Sequence, residues 1–226
     1  MKIYPSETVR WREVDDRCVL LDLVNGEYLV FDKVGSAMWL AAISNEADAV
    51  EQLGEKFDVS LHEVKQDFEE FVKERCERDQ LCGTTAEGAK QGVIPVRPRL
   101  PLSMLAWWSL FTCQRALNAG RFQEVYCRAA SYKKPAPGGV TGEMRDTIRQ
   151  AFRRAETFML LKSAPRDCLP RSLALYQYLS LAGVRVNHHI GVERFPFNAH
   201  AWVDDDEGPW FDDKDYVDGF TILASL

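Results

Sequence analysis

No stretch of this chain approaches the roughly 18 consecutive apolar residues that a membrane-spanning helix needs. The opening MKIYPSETVRWREVDD also lacks the apolar core of a signal peptide, so a cytoplasmic protein with no membrane partner is expected. Its six cysteines (Cys18, Cys76, Cys82, Cys113, Cys127 and Cys168) form no C-x-x-C pair, and the four histidines do not join them in a zinc-like spacing. That argues against a disulfide framework and a structural metal. No internal repeat or low-complexity run occurs. What is present is apolar material, 46% of 226 residues against 27% charged, enough for one large core or two modest ones.

The net charge of −6 conceals an asymmetry. Residues 1–85 carry 10 Lys+Arg against 19 Asp+Glu, a net of −9, and residues 86–226 carry 18 against 15, a net of +3. Two modules of different charge follow. In the first, TVRWREV, CVLLDL and EYLVF read as short strands, the first two separated by the polar break Asp15-Asp16-Arg17. The last two are separated by Asn25-Gly26, a hairpin signal because both residues tolerate positive φ. Helices are predicted over Val34–Ile43, Ala47–Phe57 and Ser60–Leu81. The last opens on the capping-box-like Ser60-Leu61-His62-Glu63, and Leu61, Val64, Phe68, Phe71 and Val72 share one apolar stripe.

From Cys82 to Pro101 the pattern dissolves into a Gly-, Thr- and Pro-rich linker. Helices are predicted beyond it at Leu102–Ala119, with Trp107 and Trp108 as packing residues, and at Phe122–Ala130. After the loop Pro135–Gly139, a long helix is expected over Thr141–Leu161. Its Arg145, Arg149, Arg153 and Arg154 read most simply as a solvated basic face, or as one that greets the acidic first module. Leu169–Leu181 is a further helix ended by Gly183. The period then changes from 3.6 to 2, and VRVNHHIGVERF, AHAWVDD and PWFDD alternate as strands of a small antiparallel sheet. The fold class is therefore α+β.

Most cysteines in such a chain are small buried hydrophobes. Cys168 differs in its position. Pro165-Arg166-Asp167 stops the preceding helix, Asp167 suits an N-cap, and Pro170 falls in the first turn. Cys168 then lies where unpaired backbone N–H groups and the helix dipole stabilise a thiolate, with Asp167 opposing the effect. A nucleophilic cysteine needs a base and a group that orients the base. His200, Trp202 and Asp204 share one face of NAHAWVD. If this strand and PWFDD form a hairpin centred on Asp206, Val203 faces Pro209, Trp202 faces Trp210, and His200 lies opposite Asp212. Their Cβ atoms would be about 4.5–5.5 Å apart. Odd loop lengths give this register, whereas even ones place the two side chains on opposite faces. Taken singly, a histidine such as His200 is more often a core residue satisfied by a backbone carbonyl, and Asp212 reads as a turn residue beside Asp213, Asp215 and Asp218. His188 and His189 are adjacent and face opposite ways, which weakens a paired-ligand reading. Arg171 is a surface charge or a guide for a substrate carboxylate.

Cys168-Leu169-Pro170-Arg171-Ser172-Leu173-Ala174-Leu175, Gly183, His189-Ile190-Gly191-Val192 and Pro196-Phe197-Asn198-Ala199-His200-Ala201-Trp202-Val203 resemble the transglutaminase-like cysteine peptidase of lasso peptide biosynthesis, the B protein. The likeness spans about sixty residues and agrees in motif order and spacing. It implies a transglutaminase- or papain-like domain over 101–226, with Cys168, His200 and Asp212 as catalytic residues and Asp213 as the fallback for Asp212. Asp204 departs from the family, in which a glutamate commonly follows the Ala-Trp-Val.

The first module, over 1–84, resembles the PqqD-like domain that recognises leader peptides, a winged-helix-like arrangement of three strands and three helices. A linker over 85–100 joins the two. Winged helices raise the question of nucleic acid, but a net charge of −9 argues against it. The resemblance implies instead that a leader adds a strand beside Tyr28, Leu29, Val30 and Phe31 and lays apolar side chains on Val64, Phe68 and Phe71. Each of these positions suits domain core as well; core is favoured for Val30, and Phe68 and Phe71 stay open.

The implied function is a leader peptidase that captures a lasso precursor by its leader and cleaves the leader from the core by Cys-His-Asp catalysis. No cofactor is implied for that chemistry. The partners would be the precursor peptide and an asparagine-synthetase-like, ATP-dependent macrolactam cyclase. The competing readings are a non-enzymatic leader-binding chaperone that delivers precursor to the cyclase, and a transglutaminase-like acyltransferase.

Overall fold

The structure is a computed structural model that describes residues 2–83, 100–132, 140–160, 168–193 and 197–226. The chain divides into two compact units, Met1–Lys90 and Gln91–Leu226. The expected linker over 85–100 lies outside the described residues except for Leu100, as do the loop at 135–139, Pro165, Arg166, the proposed cap Asp167, and Pro196.

The first unit runs β1 (Tyr4–Pro5), β2 (Val9–Val14), β3 (Arg17–Asp22), β4 (Tyr28–Val30), α1 (Lys33–Ser44), α2 (Ala49–Phe57), α3 (Leu61–Glu77) and β5 (Leu81–Cys82). β2, β3 and β4 form an antiparallel sheet in that order. The β2–β3 turn is Asp15-Asp16, both with positive φ (47° and 62°). It closes the pair Val14↔Arg17, the two-residue geometry that matches strand twist. The sequence signal had favoured Asn25-Gly26. There Gly26 takes φ 79° and Asn25 does not, and the longer loop is closed by the Glu27 carbonyl accepting from the Asp22 N–H at 2.9 Å. Aspartate tolerates the left-handed region well enough to make the tighter turn.

Trp39, Leu20, Cys18 and Phe31 lie at the centre of this unit, with Phe68, Phe71 and Val72 of α3 packed against them. Ser60 caps α3 by accepting the Glu63 N–H at 3.4 Å. The helix ends four residues before the predicted Leu81, because Asp79 turns the chain with φ 54° and buried Leu81 enters β5. β5 pairs with β1, a small sheet that the sequence did not reveal.

The second unit runs α4 (Leu102–Asn118), α5 (Phe122–Ala130), α6 (Gly142–Leu160), α7 (Cys168–Leu181), β6 (Asn187–Glu193), β7 (Asn198–Asp205), β8 (Gly208–Pro209), α8 (Lys214–Val217) and β9 (Thr221–Ser225). Its sheet has the order β8-β7-β6-β9. α7 is buried continuously from Ser172 to Ser180, because α4 and α5 cover it on one side and β6 and β7 on the other. A helix enclosed in this way is a fixed base for whatever its first turn carries.

Three expectations are corrected here. Trp107 and Trp108 do not pack in the core: they are 41% and 52% exposed, and Leu105, Ala106, Ser109, Leu110 and Cys113 form the buried face of α4. The basic face of α6 is not uniformly solvated. Arg145 is 6% exposed, ion-paired with Asp205 and donating to the Gly208 carbonyl at 3.1 Å. The β7–β8 turn is also one residue shorter than expected, so Asp204 pairs with Pro209 and Asp205 with Gly208. The expected pairs Val203–Pro209 and His200–Asp212 are therefore not ladder pairs, and β8 ends at Pro209.

Candidate active site

Cys168 is the first residue of α7. Its sulfur lies along β7, 4.0 Å from the Ala199 carbonyl, and the Ala201 N–H hydrogen-bonds to it. Alternate residues of a strand send their backbone polar groups to the same edge. Val203 belongs to that edge, and its carbonyl accepts from the Trp210 N–H at 2.9 Å. The early end of β8 thus leaves the Ala199–Ala201 stretch of the β7 edge open to the cysteine. A fully paired PWFDD strand would have covered it.

His200 projects from β7. Its Nε2 is 2.8 Å from Asp212 Oδ1, which leaves Nδ1 as the ring atom for Cys168. Asp212 arrives from the irregular segment after β8, and this is how the two meet although the register places them off the ladder. Asp213 has a different job: it caps α8 by accepting the Asp215 N–H at 2.9 Å.

Burial by itself would raise the Cys168 thiol. The hydrogen bond with His200, the Ala201 N–H, the charge of His200 and the Leu169 N–H together outweigh burial and hold it below the ordinary thiol value. The hydrogen bonds to Asp212 and Cys168 push the His200 imidazolium up to about 9, against the opposing effect of burial. Two other cysteines show the contrast: burial pushes Cys113 up to about 12 and Cys18 to about 11. Cys113 is a core sulfur, 3.2 Å from Gln177 Oε1. The arrangement around Cys168 can therefore hold a thiolate beside an imidazolium, oriented by a carboxylate.

Aromatic rings fix the imidazole. Trp202 lies parallel to it at 6.1 Å, Phe220 at 5.7 Å, and Tyr216 meets it edge-on at 5.3 Å. Gly191, the cross-strand partner of His200, is required by this packing. A Cβ there would stand 2.8 Å from both the Trp202 ring and the Phe220 Cβ. Trp202 is in turn tied to Asp204, which also accepts from His189 at 3.1 Å and from Asn187 at 3.3 Å. Burial opposes the ionisation of Asp204, but these bonds keep its carboxyl below the usual range.

Arg171 makes a bidentate ion pair with Glu156 and stacks on Phe211 at 5.0 Å. His188 is fully buried on the opposite face from His189, its Nε2 2.9 Å from Ser172 Oγ. In the first unit β4 is an edge strand of its sheet. Tyr28 and Leu29 are half-buried, Phe31 is buried, and Val30, favoured as core in the sequence, is 40% exposed because Leu29 takes the inward position. Val64 is buried against Ala37 and Leu53. Phe68 and Phe71 are half-buried, Phe71 5.5 Å from the Phe31 ring. Sequence reasoning missed Trp202, Gly191 and the ring pair Trp210-Phe211. A strand glycine opposite His200 was the one available signal, since such a glycine marks close approach.

Residues 107–225 match the family model of the transglutaminase-like superfamily. The chain belongs to the transglutaminase-like superfamily. Residues 17–79 match the model of coenzyme PQQ synthesis protein D, PqqD, and the order of the two matches is that of the fused B protein that the sequence resembles. No curated protein matches. Among solved structures, "TbiB1 in Complex with the TbiA(beta) Leader Peptide" aligns at 27% identity and a TM-score of 0.33, over 38% of this chain and all of that one. Among the described residues no helix is long and apolar enough to cross a membrane.

Proposed function

We propose that this transglutaminase-like chain is the leader peptidase of lasso peptide maturation, with a leader-binding module over 1–84 and a cysteine peptidase over 101–226. The observation that carries the reading is the set Cys168, His200 and Asp212, with His200 Nε2 2.8 Å from Asp212 and the thiol held low at a helix start. The leader adds a strand at the β4 edge, beside Tyr28 to Phe31, with Phe68 and Phe71 as its apolar floor and Val64 beneath them. Capture there raises the concentration of the scissile bond at the second module. The precursor and an asparagine-synthetase-like cyclase are the partners, in the cytoplasm.

The Cys168 thiolate attacks the scissile carbonyl, and the C–N bond breaks as His200 gives its proton to the leaving amine. Backbone N–H groups at the start of α7 hold the oxyanion. Neutral His200 then takes a proton from water, which attacks the thioester and releases the leader carboxylate and regenerates the thiol. The core peptide leaves with a free amine, the group that macrolactam formation requires. The test is to incubate the purified protein with candidate precursor peptides and weigh the products, with Cys168→Ala alongside. Two fragments summing to precursor plus water are expected; an amine adduct would mean acyl transfer, and cleavage unchanged by Cys168→Ala would overturn the mechanism.

A further inference from the structure

Asp212 reaches His200 from a segment with no ladder pairing, so something else must fix its approach. Residues 208–211 are gripped in turn by arginines on one stripe of α6. Arg145 donates to the Gly208 carbonyl at 3.1 Å and Arg149 to the Pro209 carbonyl at 3.3 Å. The Trp210 ring, 1% exposed, lies 4.4 Å from the Arg145 guanidinium and 5.7 Å from that of Arg149. Arg153 stands 5.4 Å from the Phe211 ring, and Arg171 of α7 closes on the same ring at 5.0 Å. Phe211 also rests on Phe152 at 5.7 Å. A helix advances about 6 Å every four residues. Arginines four apart therefore follow the chain from Gly208 through Pro209 and Trp210 to Phe211.

We propose that Arg153 and Arg171, closed on Phe211, are positioning residues that deliver Asp212 to His200. This rests on the reading of Cys168, His200 and Asp212 as the catalytic set. Arg171 is the more telling of the two, because it lies three residues after Cys168 on the same helix. One side chain thus couples the segment bearing the carboxylate to the helix bearing the nucleophile, and Glu156 fixes its orientation. Neither arginine touches substrate in this account; each acts through the Phe211 ring, at about 0.5–1 kcal/mol for an exposed cation–π contact.

The test uses the full-length protein and no peptide substrate. Iodoacetamide alkylation of Cys168 is followed by peptide mass as a function of pH, and the His200 ring is titrated by NMR; its ionisable neighbours among the described residues are Cys168, Asp212 and Tyr216. Phe211→Leu is expected to move the His200 midpoint from about 9 toward the ordinary imidazole value and to slow Cys168 alkylation at pH 6 about tenfold. Phe211→Tyr should restore both. Arg153→Gln with Arg171→Lys keeps the charge facing Glu156 and guards against a folding failure. It should give a two- to fivefold loss, the cation–π figure expressed as a rate. Unchanged His200 and Cys168 profiles in folded Phe211→Leu, or in the double variant, would overturn the proposal. Because neither readout requires cleavage, it is judged even if no precursor is processed.

Discussion

Two histidine–aspartate pairs stand on the same face of one sheet, on either side of Trp202. His189 bonds Asp204 at 3.1 Å and His200 bonds Asp212 at 2.8 Å. Both imidazoles lie against the Trp202 ring, at 5.3 and 6.1 Å. The first pair has a hydroxyl, Ser225 Oγ, 2.8 Å from its other nitrogen; the second has Cys168. A paired carboxylate therefore does not distinguish a working imidazole from a structural one. The difference lies in the third member, because Cys168 opens a buried helix and meets the Ala201 N–H at an open strand edge, whereas Ser225 lies on an exposed strand end. In this account Asp204 keeps Trp202 in place and Asp212 keeps His200 ready.

The comparison breaks most cleanly at Cys168 and Ser225. Cys168→Ala should lower leader removal at least 10³-fold, while Ser225→Ala should change it less than twofold, measured as initial rates on the same precursor. Next come the two carboxylates. Asp212→Asn should cost about 10³ in kcat with little change in KM, less than the roughly 10⁴ of a serine triad because backbone N–H groups also hold the Cys168 thiolate. Asp204→Asn, acting only through Trp202, should cost tenfold or less. A larger loss at Asp204 than at Asp212 would reverse the assignment of the two pairs.

Smaller effects sharpen the same contrast. Leader removal should decline above about pH 9, where His200 loses the proton that it gives to the leaving amine. Because the folded value lies above the ordinary one near 6.5, the stabilisation from His200 is complete below about pH 6.5 and lost as pH rises through about 9. Gly191→Ala should destabilise the second unit by about 1–3 kcal/mol, since its Cβ would overlap Trp202; a melting temperature unchanged from wild type would contradict the packing argument. His188 carries the opposite linkage. Burial pushes it down to about 3, so the unfolded chain binds its proton first. Stability should fall by up to about 1.4 kcal/mol per pH unit between 6.5 and 3. Denaturant midpoints measured for His188→Gln should show a shallower acid slope.

The helices were legible because their apolar spacing is local, and the change of period after Gly183 announced the sheet, although β6 begins only at Asn187. β9 was not, because Thr221–Ser225 is short and alternates poorly, and its partner β6 lies some thirty residues away. The arginine stripe of α6 was misread for a related reason: a charged helix face looks solvated until Trp210 and Phe211, sixty residues on, come to cover it. Cys168 and His200 were singled out from position and resemblance, and the structure brings them into hydrogen-bond contact. Asp212 was named from a hairpin register that does not exist, and it reaches His200 because β8 ends early and the chain bends back, which no local pattern encodes. In the first unit the Asp15-Asp16 turn outweighed the stronger-looking Asn25-Gly26, since loop length decides which residues take positive φ.

The pairing of Cys168 with His200 is decided by the pH profile of Cys168 alkylation, followed by peptide mass in the wild type and in His200→Asn. Reaction should begin below the ordinary thiol range, with a second inflection near pH 9 as His200 deprotonates, and both features should vanish in His200→Asn. A single inflection at an ordinary thiol value, the same in both proteins, would mean that Cys168 and His200 do not act as a pair.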